Sequence, residues 1–221
     1  MAAFIFTRKM AYTSIILGIG MTITLGYGSN AWIPTYFIRT FGWSAGKFGG
    51  IFGPISILVG LVSIPLAGVL ASKLADRGHR DANIKVIIAG YVIGVPFAVL
   101  APFMSDPYLS ITLFALAQFF TNFHVLGPAT LMGITPNQIR GQISALYVFV
   151  VNMLGLGLGP SIVAGFTDFL FGSDLAVGKS LALLAAILGP LGIVILYSGL
   201  RAYRRCLEDA LAWEEASATI S

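Results

Sequence analysis

The chain of 221 residues is 57% hydrophobic and 10% charged, whereas soluble domains run at about 45–50% apolar and about 25% charged residues. With a mean hydropathy of +0.89, that balance excludes an ordinary water-soluble globule and a disordered chain, and the 26 glycines follow no collagen triplet. A net charge of +4 does not point to nucleic acid, because Lys and Arg sit in short gaps between apolar runs, and one cysteine without a Cys/His cluster gives no sign of a disulfide, a metal or another cofactor.

A hydrocarbon core of about 30 Å takes about 20 apolar residues in a helix, and six runs of that order occur at about 12–38, 46–71, 86–104, 109–132, 143–169 and 180–200. Period-2 alternation in ten-residue segments is missing, so the expectation is a six-helix membrane domain over 1–200 rather than a barrel. Residues 201–221 form a tail.

In the first span Tyr27, Asn30 and Pro34 share a helix face, and Gly26, Gly28 and Pro34 loosen the helix beside them. The second and third spans are joined by Gly68-Val-Leu-Ala-Ser72-Lys73-Leu-Ala-Asp76-Arg77-Gly78-His79-Arg80. In the fourth, Gln118 and Asn122 lie one turn apart with Thr121 on their flank, while a regular helix rotates His124 well away from them. His124 is nevertheless the one ionisable group, tyrosines apart, deep within an apolar run. It is the candidate proton or hydrogen-bond relay.

The fourth and fifth spans are joined by Thr135-Pro136-Asn137-Gln138-Ile139-Arg140-Gly141-Gln142. In the fifth span Ser144, Tyr147, Asn152, Gly155 and Gly159 form a broad stripe, and Gly155, Gly159 and Pro160 combine a GxxxG spacing with a proline that cannot donate to the helix. After the sixth span, Arg201, Arg204 and Arg205 stand next to the membrane, where they meet anionic headgroups, with Glu208, Asp209, Glu214 and Glu215 farther out.

Candidate cavity residues are Tyr27, Asn30, Gln118, Asn122 and Asn152; the structural alternative for each is an interhelical hydrogen bond. Of the 13 Lys and Arg, only Arg39, Lys47 and Lys179 fall on one side of the six spans. The positive-inside rule then puts both termini and the two long basic loops in the cytoplasm.

The loop from Gly68 to Arg80 resembles the glycine/Asp/Arg loop of the major facilitator superfamily, and Pro136-Asn-Gln-Ile-Arg140-Gly141 resembles its Pro-x-x-x-Arg-Gly loop. Continued through Tyr147, Asn152, Gly155 to Pro160 and Phe166-Thr-Asp168, the chain is similar to bacterial Spinster-like transporters, as their carboxy-terminal six-helix half. One departure is that Ser72 occupies the family's acidic position when Gly68 to Ala71 is aligned, with Asp76 a turn later.

The resemblance implies half of a twelve-helix secondary transporter in a bacterial inner membrane, working by alternating access on a small organic solute or an amphipathic lipid, with proton coupling through carboxylates of the other half. Its partners are then the bilayer, a small-molecule substrate, and an amino-terminal half or a second copy. Asp76, Arg77 and Arg140 become conformational-switch residues, with a solvated charge cluster and a positive-inside anchor as the plainer alternatives. Met1 is then an internal methionine, the start of a truncated product, or the start of a half that dimerises. Two other functions stay open: a six-span substrate-capture subunit of a separately energised system, and an intramembrane hydrolase using His124 as base, for which Ser161 is a poor nucleophile.

Overall fold

The computed structural model describes residues 8–218, and side chains as far as Asp209. Residues 1–7 and 219–221, and the side chains of Glu214 and Glu215 in the charged tail, lie outside the description. Among the described residues there are six helices long and apolar enough to cross a membrane. They are α1 (Lys9–Phe41), α2 (Ala45–Asp76), α3 (Ala82–Phe103), α4 (Pro107–Gly133), α5 (Asn137–Phe171) and α6 (Val177–Ala218).

Their boundaries follow local chemistry. α1 ends at Gly42, whose φ of 66° lets its N–H reach back to the Ile38 carbonyl, a conformation that costs glycine little. Ser44 then caps α2 by accepting from the Lys47 N–H at 3.1 Å, and Asp106 caps α4 by accepting from the Leu109 N–H at 2.7 Å with Pro107 in the first turn. Beyond Leu200 the sixth helix does not stop, and the backbone of the charged tail continues it to Ala218.

α1 and α6 pack along much of their length and form the centre of the bundle. Half of the apolar window of each is buried, against 17% for α2 and 28% for α5. Tyr12, Ile15, Ile19, Tyr36 and Phe37 of α1 are almost completely buried, as are Leu181, Leu184 and Ala185 of α6. At one end of the bundle Phe37 stacks among Tyr36, Phe41, Trp43, Phe48 and Phe114, and Arg39 pairs with Asp174 at 3.5 Å. At the other, Arg8 pairs with Asp209 at 3.4 Å, so α1 begins where the extended α6 passes.

Among the described residues, α4 and α5 depart from α geometry in their interiors. In α4 a 3-10 stretch covers Asn122–Leu126, because Pro128 has no N–H for the His124 carbonyl; the Gly127 N–H bonds it instead, one residue tighter. In α5 π-helical turns at Met153–Leu158 and Phe166–Phe171 flank an α segment. The first precedes Pro160, whose carbonyl accepts from Trp32 Nε1 of α1 at 3.0 Å. Such interruptions survive in an apolar bundle where neighbours satisfy the freed groups.

Candidate functional site

A cavity of about 340 Å³ opens between α1, α4 and α5, with Phe52 of α2 and Tyr91 of α3 closing its sides. Tyr27, Asn30, Gln118, Asn122, Asn152 and His124 all line it. The bundle thus brings together residues read from three separate spans, although 125 positions separate Tyr27 from Asn152. Ser29, Thr121 and Tyr147 complete the polar part of the wall, and among the described residues no Asp, Glu, Lys or Arg borders it.

Tyr27, Gln118, Asn122 and Asn152 are each held by a neighbour. Ser56 Oγ of α2 donates to Gln118 Oε1 at 3.1 Å, which leaves the Gln118 amide nitrogen as a donor. Asn122 Nδ2 donates to Ser63 Oγ of α2 at 2.9 Å, which leaves the Asn122 carbonyl oxygen as an acceptor. α2 therefore orients one donor and one acceptor, a turn apart on α4. Asn152 Nδ2 donates to the Val148 carbonyl at 2.8 Å, and Tyr27 Oη lies 3.4 Å from Asn152 Oδ1. The ring of Tyr27 sits in the notch left by Gly155, where an added Cβ would stand 2.5 Å from Tyr27 Cδ2.

His124 departs from the regular-helix expectation that turned it away from this face. Its 3-10 segment advances about 120° per residue instead of about 100°, which swings the ring back toward Gln118 and onto the cavity wall. His124 Nδ1 is 2.8 Å from the Thr121 carbonyl oxygen; a carbonyl only accepts, so Nδ1 carries the proton and Nε2 is left as the ring's unengaged polar atom. Among the described residues no buried side-chain nitrogen or oxygen lacks a partner. Nε2 accordingly opens on accessible space.

The loop residues separate. Asp76 and Arg77 are both exposed at the end of α2. The buried acid at this end is Asp81, whose Oδ2 accepts from Arg204 Nε at 2.8 Å and Nη2 at 2.6 Å, while Oδ1 faces Lys85 Nζ at 3.0 Å. Burial opposes the charge of Asp81, but hydrogen bonds from Lys85 and Arg204, reinforced by their charges, outweigh it and hold the carboxyl below its ordinary range. Arg140 Nε donates to the Thr135 carbonyl at 2.9 Å, fastening the α4–α5 connection whose Thr135 hydroxyl also meets Tyr12 Oη of α1 at 2.8 Å.

The sequence reading missed Ser56, Ser63 and Asp81. The two serines are seven residues apart and share a face of α2, a signal present in the text. Asp81 gave none, because its partner Arg204 lies 123 residues away.

No protein-family model matches the chain. Over 208 residues it is 26% identical to a protein of Mycolicibacterium smegmatis (strain ATCC 700084 / mc(2)155) described as an MFS-type efflux pump, covering 92% of this chain and 48% of that one. Its fold superposes on a bacterial homolog of the human lysosomal transporter Spinster in an inward-facing, unoccupied conformation. The TM-score is 0.62 at 15% identity, over 91% of this chain and 48% of that one. The fold is that of half a major facilitator transporter. An occupied inward-facing form of the Spinster homolog matches similarly, with TM-score 0.61 and 16% identity over 89% of this chain and 49% of that one. This chain spans about half the length of the relatives it matches, and with six apolar helices of major facilitator architecture it is an integral membrane protein.

Proposed function

We propose that the chain is the carboxy-terminal half of a secondary transporter that moves a small organic solute or an amphipathic lipid by alternating access. Tyr27, Asn30, Gln118, Asn122 and Asn152 form its share of the substrate site, and His124 is a hydrogen-bond relay in the same wall. The observation that carries this is the convergence of these neutral polar side chains, from α1, α4 and α5, on one cavity. In transporters with two related halves, substrate sites lie near the midplane where the halves meet.

The outward faces of α2 and α5 support a second six-helix unit as neighbour. Ile57, Leu58 and Leu61 on α2, and Phe149 and Met153 on α5, are exposed apolar side chains, and the equally exposed Val148 of α5 borders the cavity itself. That unit is an amino-terminal half or a second copy of the chain, and any proton-coupling carboxylate belongs to it. The lopsided distribution of Lys and Arg supports cytoplasmic termini, and the efflux-pump relative supports export as the direction.

Transport is the test. The natural-length protein is expressed in cells with low background efflux, and alanine is placed singly at the five positions. Reduced transport at normal membrane abundance in most of the variants is expected. Wild-type rates in all five would remove the cavity from the mechanism.

A further inference from the structure

Following α6 outward, Ile187, Leu191, Val194 and Tyr197 are exposed at steps of four, three and three residues, the last with 70% of its surface free. The same face continues, at steps of four, three and four, through Arg201, Arg204 and Glu208, all exposed. One stripe of one helix therefore changes from apolar to aromatic to cationic without turning away. An aromatic ring between an apolar run and a basic one marks the level of the headgroups.

At the charged end of that stripe a cavity of about 450 Å³ lies between α6 and the α2–α3 loop, lined by His79, Arg80, Asp81, Lys85, Arg204 and Glu208. Asp81 is saturated within the protein: three donors reach its carboxylate, and its side chain is only 3% exposed. Lys85 Nζ is also 2.9 Å from His79 Nδ1. The ammonium has only donors, so Nδ1 accepts and the His79 Nε2–H remains to donate. Arg80 is exposed without a side-chain partner among the described residues. Against the carboxylate of Glu208 in the same wall, this leaves the Arg80 guanidinium, the outer edge of Arg204 and the His79 N–H, with exposed Arg201 one turn before Arg204 on the same face of α6.

We propose that this cavity holds the phosphate of an acidic phospholipid, whose acyl chains lie along the Ile187–Tyr197 stripe of α6. A soluble phosphate would use the same cations, but only a lipid also covers the apolar stripe that leads into them. The bound lipid joins the α2–α3 loop to α6 on the outside of the Asp81–Arg204 pair. This holds whatever the transported substrate is.

Native mass spectrometry of the detergent-purified protein, offered equimolar phosphatidylglycerol and phosphatidylcholine with identical acyl chains, tests it. Preferential retention of phosphatidylglycerol is expected, falling about fivefold for each charge removed in Arg80→Gln and Arg201→Gln, neither of which touches Asp81. Lys179→Gln, at the opposite end of the bundle, should keep the full preference. Equal retention of the two lipids by the wild type, or undiminished preference in the Arg80→Gln/Arg201→Gln double variant, would overturn the site. Displacement of the lipid by millimolar inorganic phosphate would overturn the lipid assignment in favour of a soluble anion.

Discussion

Gly28 of α1 and Gly159 of α5 meet backbone to backbone. A Cβ built on Gly159 would stand 2.8 Å from the Gly28 nitrogen, and one built on Gly28 would stand 2.8 Å from the Gly159 carbonyl oxygen. Main chain cannot rotate out of the way as a flexible side chain does, so even a methyl group forces the two cavity helices apart. Gly159→Ala is expected to destabilise the protein by about 1–3 kcal/mol. Gly157→Ala, two residues earlier and facing open space, should be near neutral. Thermal unfolding in detergent compares them, and equal midpoints would refute the close crossing.

The six spans were legible because an apolar run has few ways to exist, and the faces of Tyr27 with Asn30 and of Gln118 with Asn122 were legible because α-helical spacing holds there. His124 was misplaced because one proline, Pro128, four residues downstream, changes the local pitch. The loop acid was unreadable for a different reason. Asp76 and Asp81 look alike in the text, and which one is buried depends on α6 running past the apolar span far enough to bring Arg204 to the loop.

Gln118 offers a change of charge without a change of shape. Ser56 Oγ already donates to Gln118 Oε1 and can donate equally to a carboxylate, so Gln118→Glu keeps the tie to α2. It also replaces the free amide donor with a negative charge on a wall that has none among the described residues. Transport of cationic solutes should rise relative to anionic ones, read as a shift in the ratio of their kcat/KM values. An unchanged ratio would mean that Gln118 does not face the substrate.

Ser63→Ala probes the second tie. Removing its hydroxyl frees the Asn122 amide and is expected to cost about 0.6 kcal/mol of stability, while raising KM with little change in kcat because the acceptor oxygen of Asn122 loses its orientation. A double-mutant cycle with Asn122→Ala measures the coupling. Additive effects would show that Ser63 does not orient Asn122.

Asp81 predicts an acid-sensitive latch. Its folded carboxyl titrates below the unfolded value, near 3.8. The stability it contributes is therefore complete above that value and fades as pH falls below it through the lower folded pKa. Asp81→Asn should flatten this part of the stability–pH curve. Arg204→Ala leaves the buried charge with Lys85 alone and should cost about 1–3 kcal/mol near neutral pH, the half-exposed Arg204 side chain limiting the loss. A wild-type acid slope in Asp81→Asn would show that the carboxyl does not titrate below its ordinary value in the fold.

Pro128 and His124 act as a unit if the local pitch sets the cavity wall. An alanine at 128 supplies the N–H four residues on that the α-helical bond to the His124 carbonyl needs, so the 3-10 stretch Asn122–Leu126 can relax to α geometry. Over the two residues from Asn122 to His124 that relaxation turns the ring by about 40° away from Gln118. The helix itself gains a backbone hydrogen bond, so Pro128→Ala is expected to leave thermal stability unchanged or raised while lowering transport to about the level of His124→Ala. Because one substitution removes the ring and the other turns it away, the double variant should be no slower than either single one. Transport rates that multiply in the double variant would show that Pro128 serves the cavity by some route other than the placement of His124.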